Sequence, residues 1–439
     1  MPITEKSIWL SHTGPTFDAL TGDLETEIAI IGGGITGVSA AYRLKEKGAD
    51  FALLERGSVA GGSTGHSMGA LVPGIEQEDI WQSIAKYGRA RTELVWRATG
   101  EAISQIRDLS TRLGIECDFV PGPAFDVVDR PSNLKFLERE HAAAEDCGVE
   151  TSILDAKQIR ERLAVGDTVV GALKYEKCAQ MDPAAFVHGL AKEIHKSTGS
   201  IFERTNVDKI KSEQGGFMLE TDSGTVRARK VIVATESYTG QLGVLKNRIV
   251  ALRENALATE RLDDDSMKAL GMKNALVWNM ARDYYFMRTT TDGRVMIDGG
   301  GTLSSSQSDA PNPKRIASTY SVLVKLFPSL RGREIEFAWS GRMAVPLRPV
   351  PVVNRIIRML AGVIEVRPSM PLVEQAGSRV ISMPFLGACS GNPDMLCSAG
   401  YIGHGLPLGF LGGRVMAEMS LGEVTETTDA LLRAYSGHG

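Results

Sequence analysis

The chain has 439 residues, with 49 Lys and Arg against 53 Asp and Glu and a net charge of −4 at pH 7. This length predicts two or three domains, and the near-balanced charge excludes a global field that would hold nucleic acid. Hydrophobic residues make up 43% of the chain, which is typical of an ordered globular protein. Glycine is in excess, with 47 residues, and the glycines gather at 32–37, 57–74, 299–301 and 387–413.

The cysteine and histidine patterns favour a reducing compartment and predict no metal site. Five cysteines form no CxxC pair, and the seven histidines show neither HxH nor HxxxH spacing. The first residues lack the basic start and apolar core of a signal peptide. No run reaches the roughly 18 apolar residues of a spanning helix. The prediction is a cytoplasmic protein.

The first motif is a dinucleotide fingerprint. An apolar run at 27–31 is followed by GGGITG, in which Gly32, Gly34 and Gly37 match GxGxxG, and then by apolar residues at helical spacing. The three glycines permit a tight turn, a close approach of backbone to a pyrophosphate, and close packing of helix on strand. A second strand ends at Glu55, where a carboxylate can accept hydrogen bonds from a ribose diol.

A run of small residues from Arg56 to Gly74 favours FAD over NAD, because it lets backbone wrap closely around an extended ligand. Further along, an apolar strand at 231–234 and the turn GYIGHGLPLGF, which opens a last helix, return the chain to the same unit. The sequence therefore enters and leaves one nucleotide-binding unit several times.

The segments SIWL, DLETEIAIIGGGITG, MDPAAFVHGLA, VIVATESYTG, WSGRMAV and GYIGHGLPLGFLGGRVMAEM cover much of the chain in order. Together they resemble the FAD-dependent D-amino-acid oxidase, glycine oxidase and sarcosine oxidase superfamily, and most closely its gamma-glutamylputrescine oxidoreductase-like branch. The resemblance implies an α/β fold. A Rossmann-like FAD-binding domain with a mixed parallel sheet is interleaved with an α+β substrate domain on a mixed antiparallel sheet.

On this basis we assign 24–80, 150–240 and 382–439 to the FAD-binding domain. The ranges 81–149 and 241–381 form the substrate domain, and the chain also shows amphipathic helices over 80–113 and 132–147. The residues expected to bind FAD are Gly32, Gly34, Ile35, Thr36, Gly37, Glu55, Arg56, Gly62, Ser63, Thr64, His66, Ser67, Met68, Val207, Ala234, Thr235, Gly403, His404, Gly405 and Leu406.

The resemblance also implies the reaction: hydride leaves the carbon next to an amine nitrogen, and the resulting imine hydrolyses. The substrate is then a small amine or amino acid, and the oxidant is oxygen or another electron acceptor. The stretch 293–300 offers no lysine over the flavin, which tilts the prediction from oxidase toward dehydrogenase, with Arg294 or Arg342 as stand-ins. The alternative is a flavoprotein subunit or assembly factor in which FAD relays electrons to a protein partner.

Three residues are candidates for the substrate side. Arg342 resembles the arginine that holds a substrate carboxylate, since a guanidinium fork binds carboxylate bidentately. Alternation sends Tyr285 to one face of a strand and Tyr284 and Phe286 to the other, and we assign Tyr285 to the pocket. His404 lies in the turn that opens the last helix, whose positive end can stabilise negative charge on the ring.

Two features stay open at the level of sequence. His66 either attaches FAD covalently, as in dimethylglycine dehydrogenase-like relatives, or makes a non-covalent contact to it. The amphipathic insertion at about 346–381 departs from the relatives. Its basic helix at 346–366 either packs into the core or a subunit interface, which we favour, or lies on a membrane surface. An oligomer is compatible with either arrangement.

Overall fold

The computed structural model describes residues 3–75, 79–198, 200–279, 285–303, 310–347, 383–389 and 391–435. The strands in these ranges are β1 Leu24–Ile31, β2 Phe51–Leu54, β3 Ala70–Leu71, β4 Val120–Val128, β5 Thr151–Asp155, β6 Gly171–Gln180, β7 Ile201–Phe202, β8 Val207–Glu213, β9 Gly216–Thr221, β10 Gly224–Val233, β11 Ile249–Thr259, β12 Leu276–Asn279, β13 Tyr285–Thr289, β14 Val295–Leu303, β15 Ile335–Pro346, β16 Phe385–Cys389 and β17 Asn392–Ala399.

The α-helices in the same ranges are α1 Ile35–Glu46, α2 Ser63–His66, α3 Ile80–Tyr87, α4 Arg89–Leu113, α5 Leu134–Asp146, α6 Ala156–Arg162, α7 Pro183–Thr198, α8 Asp264–Leu270, α9 Pro313–Leu326, α10 Gly405–Ser420 and α11 Glu426–Tyr435. Short 3-10 helices lie at Ile8–Leu10, Pro131–Asn133, Glu236–Leu242 and Pro328–Leu330.

The first sheet has the strand order β16-β17-β10-β1-β2-β7, with β9 beside β10 and β8 beside β9. The pairs β17–β10, β10–β1, β1–β2 and β2–β7 are parallel. Residues 28–31 of β1 and 51–54 of β2 are apolar and buried, as expected for parallel strands covered on both faces. Helix α1 packs against α7 and α10 over this sheet.

The second sheet has the order β15-β11-β14-β13-β12-β4-β6-β3, with β5 beside β6. Its described pairs are antiparallel apart from β4 with β12. A second core lies between this sheet and helices α6, α8 and α9, and includes Phe125, Leu257, Met287 and Phe327. The predicted fold class, a Rossmann-like unit interleaved with a unit on a mixed sheet, is confirmed.

Strand pairing corrects one expected boundary. We placed 150–240 in the FAD-binding unit, but β5 pairs with β6, and β6 pairs with β4 in the second sheet. After β1 and β2, the chain returns to the first sheet only at β7, which follows α7. The pattern of 151–180 is apolar alternation, which either sheet can accept, so the sequence alone did not distinguish them.

The predicted helix over 80–113 is two helices, because Gly88 has φ +86 and ends α3 before α4 begins. We assigned this stretch to the substrate half, with packing on the FAD-binding half as the alternative, and α4 packs on α10 and α11 of the FAD-binding unit. The helix predicted at 132–147 is observed as α5. The five cysteines are all unpaired thiols.

Candidate active site

One large cavity, of about 510 Å³, lies where the first sheet meets the second. On one side it is lined by Gly32, Glu55 and Ala234, which follow β1, β2 and β10 at their carboxyl ends. On the other side it is lined by Phe286 and Asp298, on β13 and β14. Ligands of open parallel sheets bind at this edge, where the strand order reverses.

The structure brings most of the predicted site residues to this cavity. Those that line it are Gly32, Gly34, Ile35, Thr36, Glu55, Arg56, Gly62, Ser63, Thr64, His66, Ser67, Met68, Val207, Ala234, Thr235, Arg342, Gly403, His404, Gly405 and Leu406. Gly37 and Tyr285 are not among its lining residues.

Gly37 lies one helical turn behind the cavity and acts on packing. A Cβ atom at this position would come within 1.9 Å of the Gly32 carbonyl oxygen and 3.4 Å of the Ile30 side chain. Gly32 itself has φ +107, and a Cβ there would come within 2.5 Å of the Ala234 carbonyl oxygen. The two glycines let helix α1 and strand β10 approach β1 closely.

Glu55 organises the turn around it. Its Oε2 accepts a hydrogen bond from Gly33 N at 2.7 Å, and its Oε1 accepts one from Gly57 N at 2.8 Å. Burial raises the pKa of the Glu55 carboxyl, and the two N–H donors and Arg56 oppose that rise. The carboxylate therefore links the fingerprint turn to the glycine-rich segment that follows β2.

Two helix amino termini point toward the same cavity. Helix α1 begins after Gly34 and helix α10 begins after His404. Gly34 has no side chain to cap α1, and the His404 side chain does not accept a hydrogen bond from the first turn of α10. The Thr64 hydroxyl accepts one from Ile35 N at 3.0 Å. Each helix start presents partial positive charge to the cavity.

These donors fit FAD, which joins a pyrophosphate to a flavin ring. The α1 start with its glycine turn suits the pyrophosphate, and Glu55 suits a ribose diol. The α10 start suits the ring end that takes negative charge. All three features line one cavity, as the parts of one extended dinucleotide would require.

The segment 61–69 joins the two walls of the cavity. The Ser63 hydroxyl donates to the Arg342 carbonyl oxygen at 2.7 Å, and Trp339 Nε1 donates to the His66 carbonyl oxygen at 3.0 Å. The His66 ring lies with Nδ1 at 2.9 Å from the Gly62 carbonyl oxygen. Strand β15 of the second sheet therefore holds the short helix α2 in place.

Arg288 supports the same segment from β13. Its Nη1 donates at 2.9 Å to the carbonyl oxygens of Met68, Gly69 and Met181. The guanidinium also lies 5.2 Å from the ring of Trp9. Burial lowers the pKa of Arg288 to about 9. The side chain is 1% exposed, so its hydrogen bonds to backbone carbonyls replace those to water.

The assignment of Tyr285 to the pocket requires a correction. Tyr285 belongs to the second core, on the face of β13 away from the cavity. Burial raises the pKa of its phenol. Phe286 lies on the opposite face, lines the cavity, and stacks on Trp278 with 5.9 Å between ring centres. Alternation separated the two faces correctly, but the phenylalanine is the one at the cavity.

The two candidate arginines also differ. Arg342 lines the cavity, and its guanidinium carbon lies 5.5 Å from the ring centre of Tyr238. Arg294 is held elsewhere: it donates to Glu336 at 2.6 Å and to the Thr259 carbonyl oxygen at 2.8 Å. Arg294 does not line the cavity, so its expected role as a cation over the ring is corrected.

Several residues at the cavity were missed by the sequence reasoning. They are Glu236, Tyr238, Glu254, Phe286, Asp298 and Tyr401. One signal was available for Glu236, since it closely follows an apolar strand whose carboxyl end had been placed at the cofactor. The acids Glu254 and Asp298 lie on β11 and β14, where only strand register decides which face meets the cavity.

The amphipathic insertion lies almost wholly outside the described residues, which stop at Leu347 and resume at Met383. In the described part of the chain, no helix has the length and apolar character needed to cross a membrane. The same residues bring together no group of three or more His, Cys, Asp or Glu side chains that could hold a metal ion.

The chain matches one protein family over most of its length. Residues 27–419 match the DAO family, described as FAD dependent oxidoreductase. The chain is 28% identical over 412 residues to gamma-glutamylputrescine oxidoreductase of Escherichia coli (strain K12), covering 93% of this chain and 86% of that enzyme. It is 24% identical over 405 residues to glycine oxidase of Bacillus licheniformis, covering 91% and 94%.

The fold is shared as well. The crystal structure of glycine oxidase from Geobacillus kaustophilus superposes with a TM-score of 0.73 at 16% identity, covering 92% of this chain and 96% of that one. The family match spans both sheets and nearly all of the cavity residues. The protein therefore belongs to the DAO family of FAD-dependent oxidoreductases.

Proposed function

We propose that this protein oxidises the C–N bond of a small amine or amino acid. The observation that supports it best is a shared cavity, in which a dinucleotide-type wall faces a wall of side chains from the second sheet. The named activities of similar proteins, gamma-glutamylputrescine oxidoreductase and glycine oxidase, are oxidations of this kind. When bound, FAD would accept hydride from the carbon beside the amine nitrogen, and the resulting imine would hydrolyse.

The chain would hold the cofactor mainly through backbone. The α1 start and its glycine turn bind the pyrophosphate, Glu55 binds the ribose, and Val207 packs beside the adenosine end. The turn from Gly403 to Leu406 orients the ring, and its N–H groups stabilise negative charge there.

The second sheet would bind the substrate. Phe286 supplies an apolar surface, and Arg342 supplies a guanidinium for a carboxylate group of the substrate. Glu254 and Asp298 line the same cavity and would attract a positively charged group of the substrate other than the amine that is oxidised. No acid–base side chain is required, because the reactive form is the neutral amine and burial favours that form.

His66 has two proposed roles, covalent attachment or a non-covalent contact. Precipitation in acid distinguishes them: a covalent flavin stays yellow in the pellet, whereas a non-covalent one passes to the supernatant. His66→Ala is the matched variant, and it would move the yellow colour to the supernatant only if His66 carries the bond.

The test of function is an anaerobic reduction screen. The holoprotein is mixed with polyamines, N-methylated glycines, and D- and L-amino acids, and the flavin absorbance is followed. Bleaching by one of these classes is the expected result. A flavin that stays oxidised with every amine and amino acid would contradict the proposal. Repeating the active mixture with oxygen and with a dye acceptor tests whether the protein acts as a dehydrogenase, as the missing lysine predicts.

A further inference from the structure

Glu236 has an unusual backbone for a residue with a side chain. It follows β10 and begins the 3-10 helix Glu236–Leu242, with φ +46 in the left-handed region. Glycine adopts this conformation without penalty, whereas other L residues pay a strain cost. A residue whose only task was to make this turn would be better served by glycine, so the side chain must offset the strain.

The carboxylate of Glu236 joins three segments. Its Oε1 accepts hydrogen bonds from Ala344 N at 3.0 Å and Tyr401 N at 3.4 Å, and its Oε2 accepts one from Gly400 N at 2.9 Å. Ala344 lies on β15 of the second sheet, two residues beyond Arg342. Gly400 and Tyr401 form the turn between β17 and α10.

The segments that Glu236 joins lie at the cavity that would hold the cofactor. Glu236 lines the cavity, as do Tyr401 and His404 on the turn that it holds. The turn leads directly into the start of α10, which faces the proposed ring end of FAD. One carboxylate thus connects the end of β10, the start of the ring-binding helix and the strand that carries Arg342.

We propose that Glu236 is a positioning residue that fixes the α10 start of the FAD-binding unit against β15 of the substrate wall. This inference rests on FAD binding in the cavity but not on any particular substrate. It deepens the proposed function, because the distance between these two elements sets the distance between ring and substrate.

The three hydrogen bonds that Glu236 accepts from Ala344, Gly400 and Tyr401, which we call the clamp, depend on ionisation of its carboxyl group. An ionised carboxylate accepts all three N–H groups, whereas a protonated one turns an O–H toward a backbone donor. Burial raises the pKa of Glu236 to about 7, against the three backbone donors, which lower it. The clamp is therefore complete above this pKa and loosens as the pH falls through it. Tyr401 interacts electrostatically with Glu236, and the titratable or charged groups Tyr238, Arg342 and His404 line the same cavity.

The test uses the purified holoprotein and two variants, Glu236→Gln and Glu236→Gly. The Gln side chain keeps the volume but sets an amide donor against a backbone donor. The Gly variant removes the clamp and at the same time relieves the strained φ, so it should fold even if the Gln variant does not. Measurements are the rate of FAD release on dilution, followed by flavin fluorescence, and the flavin absorbance spectrum, each at pH 6 and pH 8. If the acid precipitation shows that His66 holds FAD covalently, the same measurements and variants are made in the His66→Ala background.

We expect wild-type protein to release FAD about three- to tenfold faster at pH 6 than at pH 8. Both variants should release FAD about tenfold faster than wild type at pH 8 and should lose most of the difference between the two pH values. The wavelength of the flavin absorbance band should differ among these proteins and pH values in the same order as the release rates. These readouts need no amine, so failure of the substrate screen would leave them interpretable.

Glu140 provides the matched control. It is also buried, its pKa is also raised to about 7, and it accepts hydrogen bonds from Ile80 N and Trp81 N. It does not line the cavity. Glu140→Gln should lower the melting temperature but keep the wild-type ratio of release rates. The proposal is overturned if the wild type shows no pH dependence in release or spectrum, if Glu236→Gly behaves as wild type, or if Glu140→Gln abolishes the ratio.

Discussion

The two walls of the cavity are built from different parts of the chain. The wall at the first sheet is made largely of backbone, at Gly32, Gly34 and the start of α10. The wall at the second sheet is made of side chains on β11, β13 and β14, such as Phe286 and Asp298. Backbone donors require glycine at fixed spacings, which a sequence displays. Side chains on strands reach the cavity only in the right strand register, and a sequence does not display that register.

The largest expected effect tests the backbone wall. Gly37→Ala would bring a methyl group within 1.9 Å of the Gly32 carbonyl oxygen. We expect a loss of about 3 kcal/mol or more in the free energy of unfolding, since overpacking of this kind must move backbone, together with loss of bound FAD. Chemical denaturation and the ratio of flavin to protein absorbance measure the two effects.

Gly100→Ala is the control for this change. Gly100 is also inside a helix, α4, but nothing lies within 4 Å of a Cβ at that position. Alanine there should stabilise the protein by up to about 1 kcal/mol and leave the flavin content unchanged. If Gly37→Ala retained FAD as fully as Gly100→Ala, close packing of α1 on β1 would not be what builds this wall.

The difference between the walls explains what the sequence could predict. The GxGxxG spacing, the acid Glu55 and the glycine-rich run predicted much of the cofactor side of the cavity, because each follows from the approach of backbone to ligand. Tyr285 was misplaced because β13 is buried along its whole length, so its two faces look alike in sequence. A one-residue shift in period-two structure exchanges the faces. Glu236 was missed because its partners, Ala344 and Gly400, are more than a hundred residues away.

A second prediction concerns the contact between the walls. Arg288→Met would keep the apolar stem but remove four hydrogen bonds to buried carbonyl oxygens. We expect the free energy of unfolding to fall by about 3 kcal/mol, because those carbonyls would lose their donor without gaining water. The flavin absorbance band should also shift, since Met68 lines the cavity. Arg107→Met, an exposed arginine, should change stability by less than about 0.5 kcal/mol.

Stability and the flavin band of Arg288→Met, measured beside Arg107→Met, show whether Arg288 shapes the cavity wall or only stabilises the fold. If Arg288→Met lowered stability but left the flavin band in place, the guanidinium would support the fold without shaping the wall. If the variant were as stable as wild type, removal of the buried charge would have compensated fully for the lost hydrogen bonds.

The smallest expected effect tests the side-chain wall, with neighbouring aromatic residues on opposite faces of β13. Phe286→Leu should raise the KM for the best substrate about tenfold, equivalent to about 1.4 kcal/mol, because the ring lines the cavity. Tyr285→Phe should leave KM within about twofold and instead cost about 1 kcal/mol of stability, because the phenol bonds to Asn279 in the second core. Steady-state kinetics with the best substrate and an electron acceptor give the first quantity, and chemical denaturation gives the second. The reverse outcome, in which KM follows Tyr285 and stability follows Phe286, would mean that the faces of β13 are exchanged and that the substrate wall is lined by the set of side chains assigned here to the core.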